Sequence, residues 1–187
     1  MRLLIYGSRS FATTVADLVR DCGHEVAAMV DDVHARVGVI GDLASVPDEF
    51  QDCGIVLGIG YRDLPGRWKA WQRMRATGRP TPTLVHPRAY VASTAHIEPG
   101  CLVMAGAIVD RAARLGAAVV VWPGACINHD CVVESNCFIS PNATVCGHAR
   151  IGAGSFIGAG AAVVDHALVP ESSYVRMLER YTVKAPA

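Results

Sequence analysis

The feature that most constrains this chain is a six-residue period that runs from residue 85 to residue 175. Every sixth residue in this stretch is valine, isoleucine or leucine, without exception. A period of six fits neither an α-helix nor an alternating strand pair, and it is typical of hexapeptide β-helices. The sequence therefore predicts a parallel β-helix. The side chains expected to point inward are Val85, Val91, Ile97, Val103, Val109, Leu115, Val121, Ile127, Val133, Ile139, Val145, Ile151, Ile157, Val163, Val169 and Val175.

The residues between these aliphatic positions keep the same period. Four residues after each aliphatic residue the side chain is small, as at Ala107, Cys131 and Cys137, and only Val119 is bulky. The intervening turn often carries Gly, Asn or Asp at its second central position, which suits the positive φ of a type II turn. Three hexads close one triangular coil, so the stretch predicts about five coils.

Charge and composition argue against several functions. The chain has 187 residues with 17 basic and 17 acidic side chains. It has no charge run, so we expect neither a nucleic-acid groove nor a basic membrane patch. No apolar stretch is long enough to span a membrane and the first residues lack a signal-peptide layout, so a cytoplasmic protein is expected. The seven cysteines include no CxxC pair, which argues against a zinc knuckle or redox motif.

The first 80 residues have a different pattern, in which short apolar strands alternate with helices. Strands are predicted at residues 2–6, 24–30 and 54–59, and helices at residues 11–22 and 64–77. This order predicts a small Rossmann-like α/β domain, whose ligand lies beyond the carboxyl ends of the strands. The candidate substrate-binding residues in those loops are Gly7, Ser8, Asp31, Asp32, Gly60 and Tyr61.

Two interpretations of this N-terminal edge remain open. Asp31 and Asp32 either bind a ribose hydroxyl or simply begin a solvated turn. The first loop lacks the GxGxxG pattern, so a dinucleotide cofactor is not expected. A glycine- and proline-rich stretch at residues 78–82 predicts a hinge. The expected domains are therefore a Rossmann-like domain at 1–80, a β-helix at 81–177 and a tail at 178–187.

The whole chain resembles the bacterial sugar acyltransferases that join a nucleotide-sugar domain to a left-handed parallel β-helix. This group includes N-acetyltransferases of UDP-4-amino sugars (the bacillosamine type), GDP-perosamine N-acetyltransferases and sialic acid O-acetyltransferase-like proteins. The segments that carry the resemblance are residues 128–133 (NHDCVV), 139–143 (ISPNA) and 157–161 (IGAGA).

The resemblance implies a reaction and a set of site residues. The reaction is acetyl-CoA-dependent N-acetylation of a nucleotide-linked 4-amino-4,6-dideoxy sugar for polysaccharide or glycan synthesis, without a metal. His129 matches the general base and Asp130 the acidic residue that follows it. Asp31 and Asp32 match the paired acidic residues that hold the nucleotide. Acetyl-CoA is expected in a groove between subunits, and its candidate binding residues are Gly147, His148, Gly158, Ala159 and Gly160.

The hexad repeat also places His129 without the resemblance. His129 is the first central residue of a turn, where a side chain points away from the core. Gly147, eighteen residues and one coil further, leaves space beside the imidazole and offers a backbone N–H to an oxyanion. Asp130, His148 and His166 align in successive coils, which raises the alternative of a zinc site like that of β-helix carbonic anhydrases.

Three positions depart from the family pattern. The first loop, residues 7–12 (GSRSFA), lacks the family's run of glycines. Trp122 stands where an asparagine is usual, and Phe138 stands where a second histidine is usual. Two further alternatives therefore stay open: O-acetylation of a sugar or sialic acid, and a non-catalytic binding or structural protein. The nucleotide, the sugar and the acyl chain are not determined by the sequence.

The residues that flank the inward positions predict an assembly. One face of the β-helix is charged and exposes His96, Glu98, Arg114, Glu134 and Arg150. Another face is apolar and predicts either burial in a homotrimer or cover by the N-terminal domain. The residues of this apolar face are Leu102, Met104, Val120, Trp122, Phe138 and Phe156.

Overall fold

The computed structural model describes residues 1–34 and 38–183. It divides the chain into two compact units, Met1–Leu84 and Val85–Ala187. The last four residues of the predicted C-terminal tail lie outside the described residues. Among the helices of the described residues, none combines the length and the hydropathy needed to cross a membrane.

The first unit is a small parallel sheet with two helices. Strand β1 lies in the middle and pairs in parallel with β2 on one side and β3 on the other. The predicted strands and helices are confirmed to within a few residues at each end. In chain order the elements are β1 (Arg2–Tyr6), α1 (Ser10–Asp21), β2 (Glu25–Val30), 3₁₀ turns at Leu43–Ser45 and Asp48–Phe50, β3 (Gly54–Leu57), a 3₁₀ turn at Tyr61–Asp63, and α2 (Leu64–Ala76).

Local signals explain where the two helices begin and end. Helix α1 buries an apolar stripe that includes Val15 and Val19, and Gly23, with a φ of +76°, follows its end. Helix α2 begins after Asp63, whose carboxylate accepts a hydrogen bond from the Gly66 N–H at 2.9 Å. Met74 on its inner side is fully buried. Helix α1 packs against β1 and β2, and helix α2 packs against β3.

The second unit is a parallel β-helix with three flat sides. Sheet I contains β4, β7, β10, β13, β16 and β19, sheet II contains β5, β8, β11, β14, β17 and β20, and sheet III contains β6, β9, β12, β15 and β18. In chain order the strands are β4 (Leu84–Val85), β5 (Tyr90–Val91), β6 (His96–Ile97), β7 (Leu102–Val103), β8 (Ile108–Val109), β9 (Arg114–Leu115), β10 (Val120–Val121), β11 (Cys126–Ile127), β12 (Val132–Val133), β13 (Phe138–Ile139), β14 (Thr144–Val145), β15 (Arg150–Ile151), β16 (Phe156–Ile157), β17 (Ala162–Val163), β18 (Leu168–Val169), β19 (Tyr174–Val175) and β20 (Arg180–Tyr181).

The period of six is confirmed as the rule that fills this core. The aliphatic residues from Val103 to Val175 and the small residues between them form one buried cluster. The exceptions are the first three: Val91 and Ile97 are partly buried, and Val85 is 37% exposed at the end of the stack, where no earlier coil covers it. At the other end β20 pairs with β17, so the pairing continues beyond residue 177.

The turns between the sheets use left-handed backbone at their second central residue. Several non-glycine residues adopt this conformation, each with a φ between 55° and 60°. Each turn also hydrogen-bonds to the turn one coil away, as when the His148 N–H donates to the His129 carbonyl at 3.1 Å. Residues eighteen apart therefore stack in columns along the corners. The non-glycine residues with positive φ are Ala112, Ala118, Asp130, Asn136, Asn142, His148, His166, Ser172 and Leu178.

The apolar face on sheet I is largely covered within the single chain. Its aromatic rings form a column, with centroid separations of 5.8 Å from Trp122 to Phe138 and 6.0 Å from Phe138 to Phe156. Five of its six residues are already buried in the single chain, with Phe138 at 1% exposure and Phe156 at 7%. The single chain therefore already covers these five side chains, and the homotrimer contact through this face stays a prediction. Trp122 is partly exposed.

Candidate active site

His129 lies in the turn after β11, at the corner where the chain passes from sheet II to sheet III. Its side chain is 44% exposed. Nδ1 of the imidazole lies 2.9 Å from Oδ2 of Asp130, the next residue in the turn. Asp130 has a φ of 59°, so the backbone of this residue is left-handed where its side chain contacts that of His129. The turn therefore presents a histidine–carboxylate pair to solvent.

The charge state of Asp130 determines which imidazole nitrogen carries the proton. The hydrogen bond from His129 is the largest influence on Asp130, and together with the charges of Arg111 and His148 it lowers the pKa of this carboxyl. An ionised carboxylate can only accept hydrogen bonds. Nδ1 of His129 is therefore the donor, and Nε2 keeps the lone pair that a general base needs.

A third residue, Arg111, binds the same carboxylate oxygen. Its Nη2 donates to Oδ2 of Asp130 at 2.8 Å. Arg111 lies eighteen residues before His129, and its carbonyl accepts the Asp130 N–H at 2.9 Å. The arginine was missed in the sequence analysis, although the period of eighteen places it one coil below the histidine.

Gly147 lies one coil above His129 and gives the imidazole its space. A Cβ atom at position 147 would lie 2.7 Å from Cε1 and 2.9 Å from Nε2 of His129. Such separations are shorter than van der Waals contact, so any larger residue would displace the ring. The nitrogen with the free lone pair therefore lies beside the gap that this glycine leaves.

A column of histidines extends along the same corner. The rings of His129 and His148 lie 5.2 Å apart edge to face, and those of His148 and His166 lie 4.6 Å apart. His166 also pairs with Asp165, with 2.6 Å between Nδ1 and Oδ2. The ligand atoms of His129, Asp130 and His148 all lie within 4.8 Å of one another, so these three residues can hold a metal ion. This set differs from the Asp130, His148 and His166 column considered from the sequence.

Cys131 follows the pair directly but faces the core. Its side chain is fully buried, and its sulfur lies 2.9 Å from the Cys146 carbonyl oxygen. Burial raises the pKa of the Cys131 thiol to about 11. The thiol is therefore neutral near pH 7 and is poorly suited to act as a nucleophile.

The remaining predicted acetyl-CoA residues lie at a different corner. Gly158, Ala159 and Gly160 belong to the turn after β16, where the chain passes from sheet I to sheet II. A Cβ at Gly158 would meet the Met177 backbone nitrogen at 2.5 Å, so this glycine allows the next coil to approach. Sheet II separates this turn from His129. Only Gly147 and His148 are brought next to the histidine.

The first unit brings Ser8 and Asp31 together at the carboxyl edge of its sheet. The Ser8 hydroxyl donates to Oδ2 of Asp31 at 2.6 Å, and the N–H groups of Val33 and His34 donate to Oδ1 at 2.9 and 3.0 Å. Burial alone would raise the pKa of Asp31, but these hydrogen bonds outweigh it and lower the pKa to about 2. The Asp31 side chain is only 8% exposed, so this carboxylate joins two loops of its own domain.

The Asp32 carboxylate also has partners within its own domain, but it is more exposed to solvent than that of Asp31. The Tyr6 hydroxyl donates to Oδ2 of Asp32, and Arg73 forms an ion pair with the same oxygen at 3.0 Å. Burial and the hydrogen bond to Asp32 raise the pKa of the Tyr6 hydroxyl. Asp32 and Arg73, at 22% and 60% side-chain exposure, border an open groove with Asp42, Leu43 and Ala44. No local sequence pattern indicates Arg73, because it lies in a helix distant in sequence from Asp32.

Gly7 and Gly60 allow the loops at this edge to approach one another. Gly7 has a φ of +121°, and a Cβ there would lie 2.9 Å from the Gly58 carbonyl oxygen. A Cβ at Gly60 would lie 3.3 Å from Phe11 Cβ, so Gly60 packs against the start of α1. Tyr61 follows at 46% exposure. The predicted loops therefore share one edge, where both glycines have packing roles.

Comparisons with known proteins identify the repeat. The bacterial transferase hexapeptide family (six repeats) matches residues 112–147 and 130–165. These matches include the turn with His129 and Asp130. Comparison with curated protein sequences gives no significant match.

Solved structures extend the similarity to nearly the whole chain. The acetyltransferase domain of PglB from Neisseria gonorrhoeae, in complex with acetyl coenzyme A, is 29% identical, with a TM-score of 0.87 over 99% of this chain and 92% of that one. A histidine-to-alanine mutant of GDP-perosamine N-acetyltransferase from Caulobacter crescentus, bound to CoA and GDP-perosamine, is 26% identical, with a TM-score of 0.90 over 100% of this chain and 90% of that one. PerB from Caulobacter crescentus, with the same two ligands, is 28% identical, with a TM-score of 0.77 over 95% of each chain. Residues 112–165 thus match bacterial transferase hexapeptide repeats, and the left-handed β-helix of this chain is similar to that of solved acetyltransferase structures.

Proposed function

We propose that this chain transfers the acetyl group of acetyl-CoA to the amino group of a nucleotide-linked sugar. The observation that carries the proposal is the His129–Asp130 pair, whose Nε2 lies beside the Gly147 gap on a hexapeptide β-helix. The similar proteins include an acetyltransferase domain with acetyl-CoA bound and a GDP-perosamine N-acetyltransferase with CoA and GDP-perosamine bound, and the second favours nitrogen over oxygen as the acceptor atom.

The proposed chemistry is direct transfer with His129 as general base. The acceptor amine attacks the thioester carbonyl carbon, the new C–N bond forms, and Nε2 of His129 takes a proton from the nitrogen. The tetrahedral intermediate carries an oxyanion, for which the Gly147 backbone N–H is our candidate donor. The C–S bond then breaks, and the CoA sulfur leaves with the proton that His129 returns. Neither a covalent enzyme intermediate nor a metal ion is needed.

The two substrates are assigned to different parts of the chain. We propose that the first unit acts as a Rossmann-like domain whose groove at Asp32 and Arg73 receives the nucleotide, with the Arg73 guanidinium suited to a diphosphate. Asp31 then supports the loop and does not touch the substrate. The turn at Gly158–Gly160 lies one sheet away from His129, so it suits a distal part of the elongated CoA molecule. We also propose that the chain assembles as a closed homotrimer.

The decisive experiment replaces His129 with alanine. We expect a kcat lower by about 10²–10⁴ with a panel of UDP- and GDP-linked 4-amino sugars, because the proton acceptor is lost. Thiol release from CoA and the added acetyl mass are the measurements. Cys131→Ala is the matched control from the same turn, and it should stay active because its thiol faces the core.

Four results would direct the assignment elsewhere. A His129→Ala variant that keeps more than about a tenth of the kcat contradicts the general base. Acetylation of hydroxyl acceptors alone identifies an O-acetyltransferase, and no turnover with any acceptor favours a binding protein. Activity that chelators abolish, with stoichiometric zinc in the purified protein, supports a metal bound by His129, Asp130 and His148.

A further inference from the structure

The turn one coil before His129 supports the histidine–carboxylate pair from below. The Asp110 carboxylate accepts the Arg111 N–H at 2.7 Å, which fixes the backbone at the arginine. The Arg111 carbonyl in turn accepts the Asp130 N–H at 2.9 Å. Arg111 therefore contacts Asp130 twice. Its backbone carbonyl accepts the Asp130 N–H, and its side chain binds the Asp130 carboxylate.

The two donors to Asp130 share one oxygen. Nη2 of Arg111 and Nδ1 of His129 lie 2.8 and 2.9 Å from Oδ2. Asp130 is 29% exposed, so without the arginine its carboxylate can rotate toward solvent and leave Nδ1. Once that contact is lost, the neutral imidazole can move its proton to Nε2, and the ring then has no lone pair beside Gly147.

We propose that Arg111 is a positioning residue for the general base: it holds the Asp130 carboxylate against Nδ1 of His129 and so keeps the Nε2 lone pair facing the acceptor. The kinetic part of this proposal rests on the proposed function. The part that concerns the imidazole proton stands on the geometry of the turn and can be measured without any substrate.

Arg111 also has an alternative role that the experiment must separate. Its side chain is 63% exposed, and an exposed guanidinium can bind a phosphate of the donor or the acceptor directly. Loss of direct binding raises KM, whereas loss of positioning lowers kcat and leaves KM unchanged. The two roles therefore predict different kinetic changes in the same variant.

The test compares Arg111→Met, Arg111→Lys and Arg150→Met. Arg150 is the matched control, since it forms a similar surface ion pair with Glu134 at 2.9 Å, with 56% side-chain exposure. Selective ¹⁵N labelling of histidine reports the imidazole tautomers at a pH above 8, where imidazole is neutral. The His129 signals are identified by their loss in His129→Asn.

We expect wild type and Arg150→Met to show the His129 proton on Nδ1, and Arg111→Met to show a mixture of both tautomers. In the acetyl-transfer assay Arg111→Met should lose about two- to fivefold in kcat, the size expected for an exposed ion pair, with both KM values unchanged. Arg111→Lys should recover part of this loss, because it restores the charge but offers fewer donors.

Two results would overturn the proposal. One is an Arg111→Met protein whose His129 tautomer equals that of wild type. The other is a raised KM for either substrate with an unchanged kcat, which assigns Arg111 to ligand binding. If wild type itself transfers no acetyl group, the proposed function fails, and the tautomer measurement alone decides the role of Arg111.

Discussion

At the scale of single residues, the position of the His129 ring depends on the lack of a side chain at Gly147. Its turn exposes the ring, Asp130 orients it, and Gly147 leaves the volume into which Cε1 and Nε2 extend. The backbone of Gly147 has no positive φ that would require glycine. The reason for glycine at this position is therefore space beside the imidazole rather than backbone conformation.

Replacing Gly147 with alanine should therefore impair chemistry more than folding. The new Cβ would lie 2.7–2.9 Å from two imidazole atoms, so the ring must move by several tenths of an ångström. Displacement of a catalytic group by about 1 Å can cost roughly 10²-fold in rate, and we expect a tenfold to hundredfold lower kcat. Steady-state kinetics measures this, and the melting temperature checks that the fold is kept. A Gly147→Ala enzyme with unchanged kcat would show that the ring position does not limit the reaction.

At the scale of elements, Asp31 joins the loop after β1 to the loop after β2. Because its pKa is lowered to about 2 in the folded chain from 3.8 in the unfolded one, the stabilisation is present above pH 4 and is lost as the pH falls toward 2. This shift corresponds to roughly 2 kcal/mol at pH 7. Asp31→Asn should lower the free energy of unfolding by about that amount at pH 7 and by much less near pH 2.

Urea unfolding followed by tryptophan fluorescence measures this change, because Trp68 and Trp71 lie in helix α2 of the same unit. Asp42→Asn is the control. The Asp42 carboxylate likewise accepts hydrogen bonds, from the N–H and the hydroxyl of Ser45, but it caps only a three-residue turn. A loss that is equal in both variants, or independent of pH, would contradict the role given to Asp31.

The six-residue period predicts the features that repeat along the β-helix, but it does not predict contacts that occur only once in the chain. It predicts the inward residues, the turns and the stacking of His129 below Gly147, and a step of eighteen residues also leads to Arg111. It could not predict that Asp31 is held by Ser8, because these loops meet only through the pairing of β1 with β2. Nor could it predict that one chain buries five side chains of the apolar face, since a local pattern does not show what covers a surface.

At the scale of the whole molecule, the apolar face of sheet I tests whether burial is internal or shared between subunits. Phe138 is 1% exposed within one chain. Truncation of a buried phenylalanine to alanine costs about 3–5 kcal/mol, which is roughly 10 °C in melting temperature for a chain of this size. Because one chain provides the burial, we expect the Phe138→Ala loss to be independent of protein concentration, with the proposed trimer mass retained in light scattering.

Tyr174→Ala is the control: its ring ends the same aromatic column at 66% exposure and 4.8 Å from Phe156, so its loss should change the melting temperature little. If Phe138→Ala instead yields monomers with a concentration-dependent melting temperature, the face is a subunit interface after all.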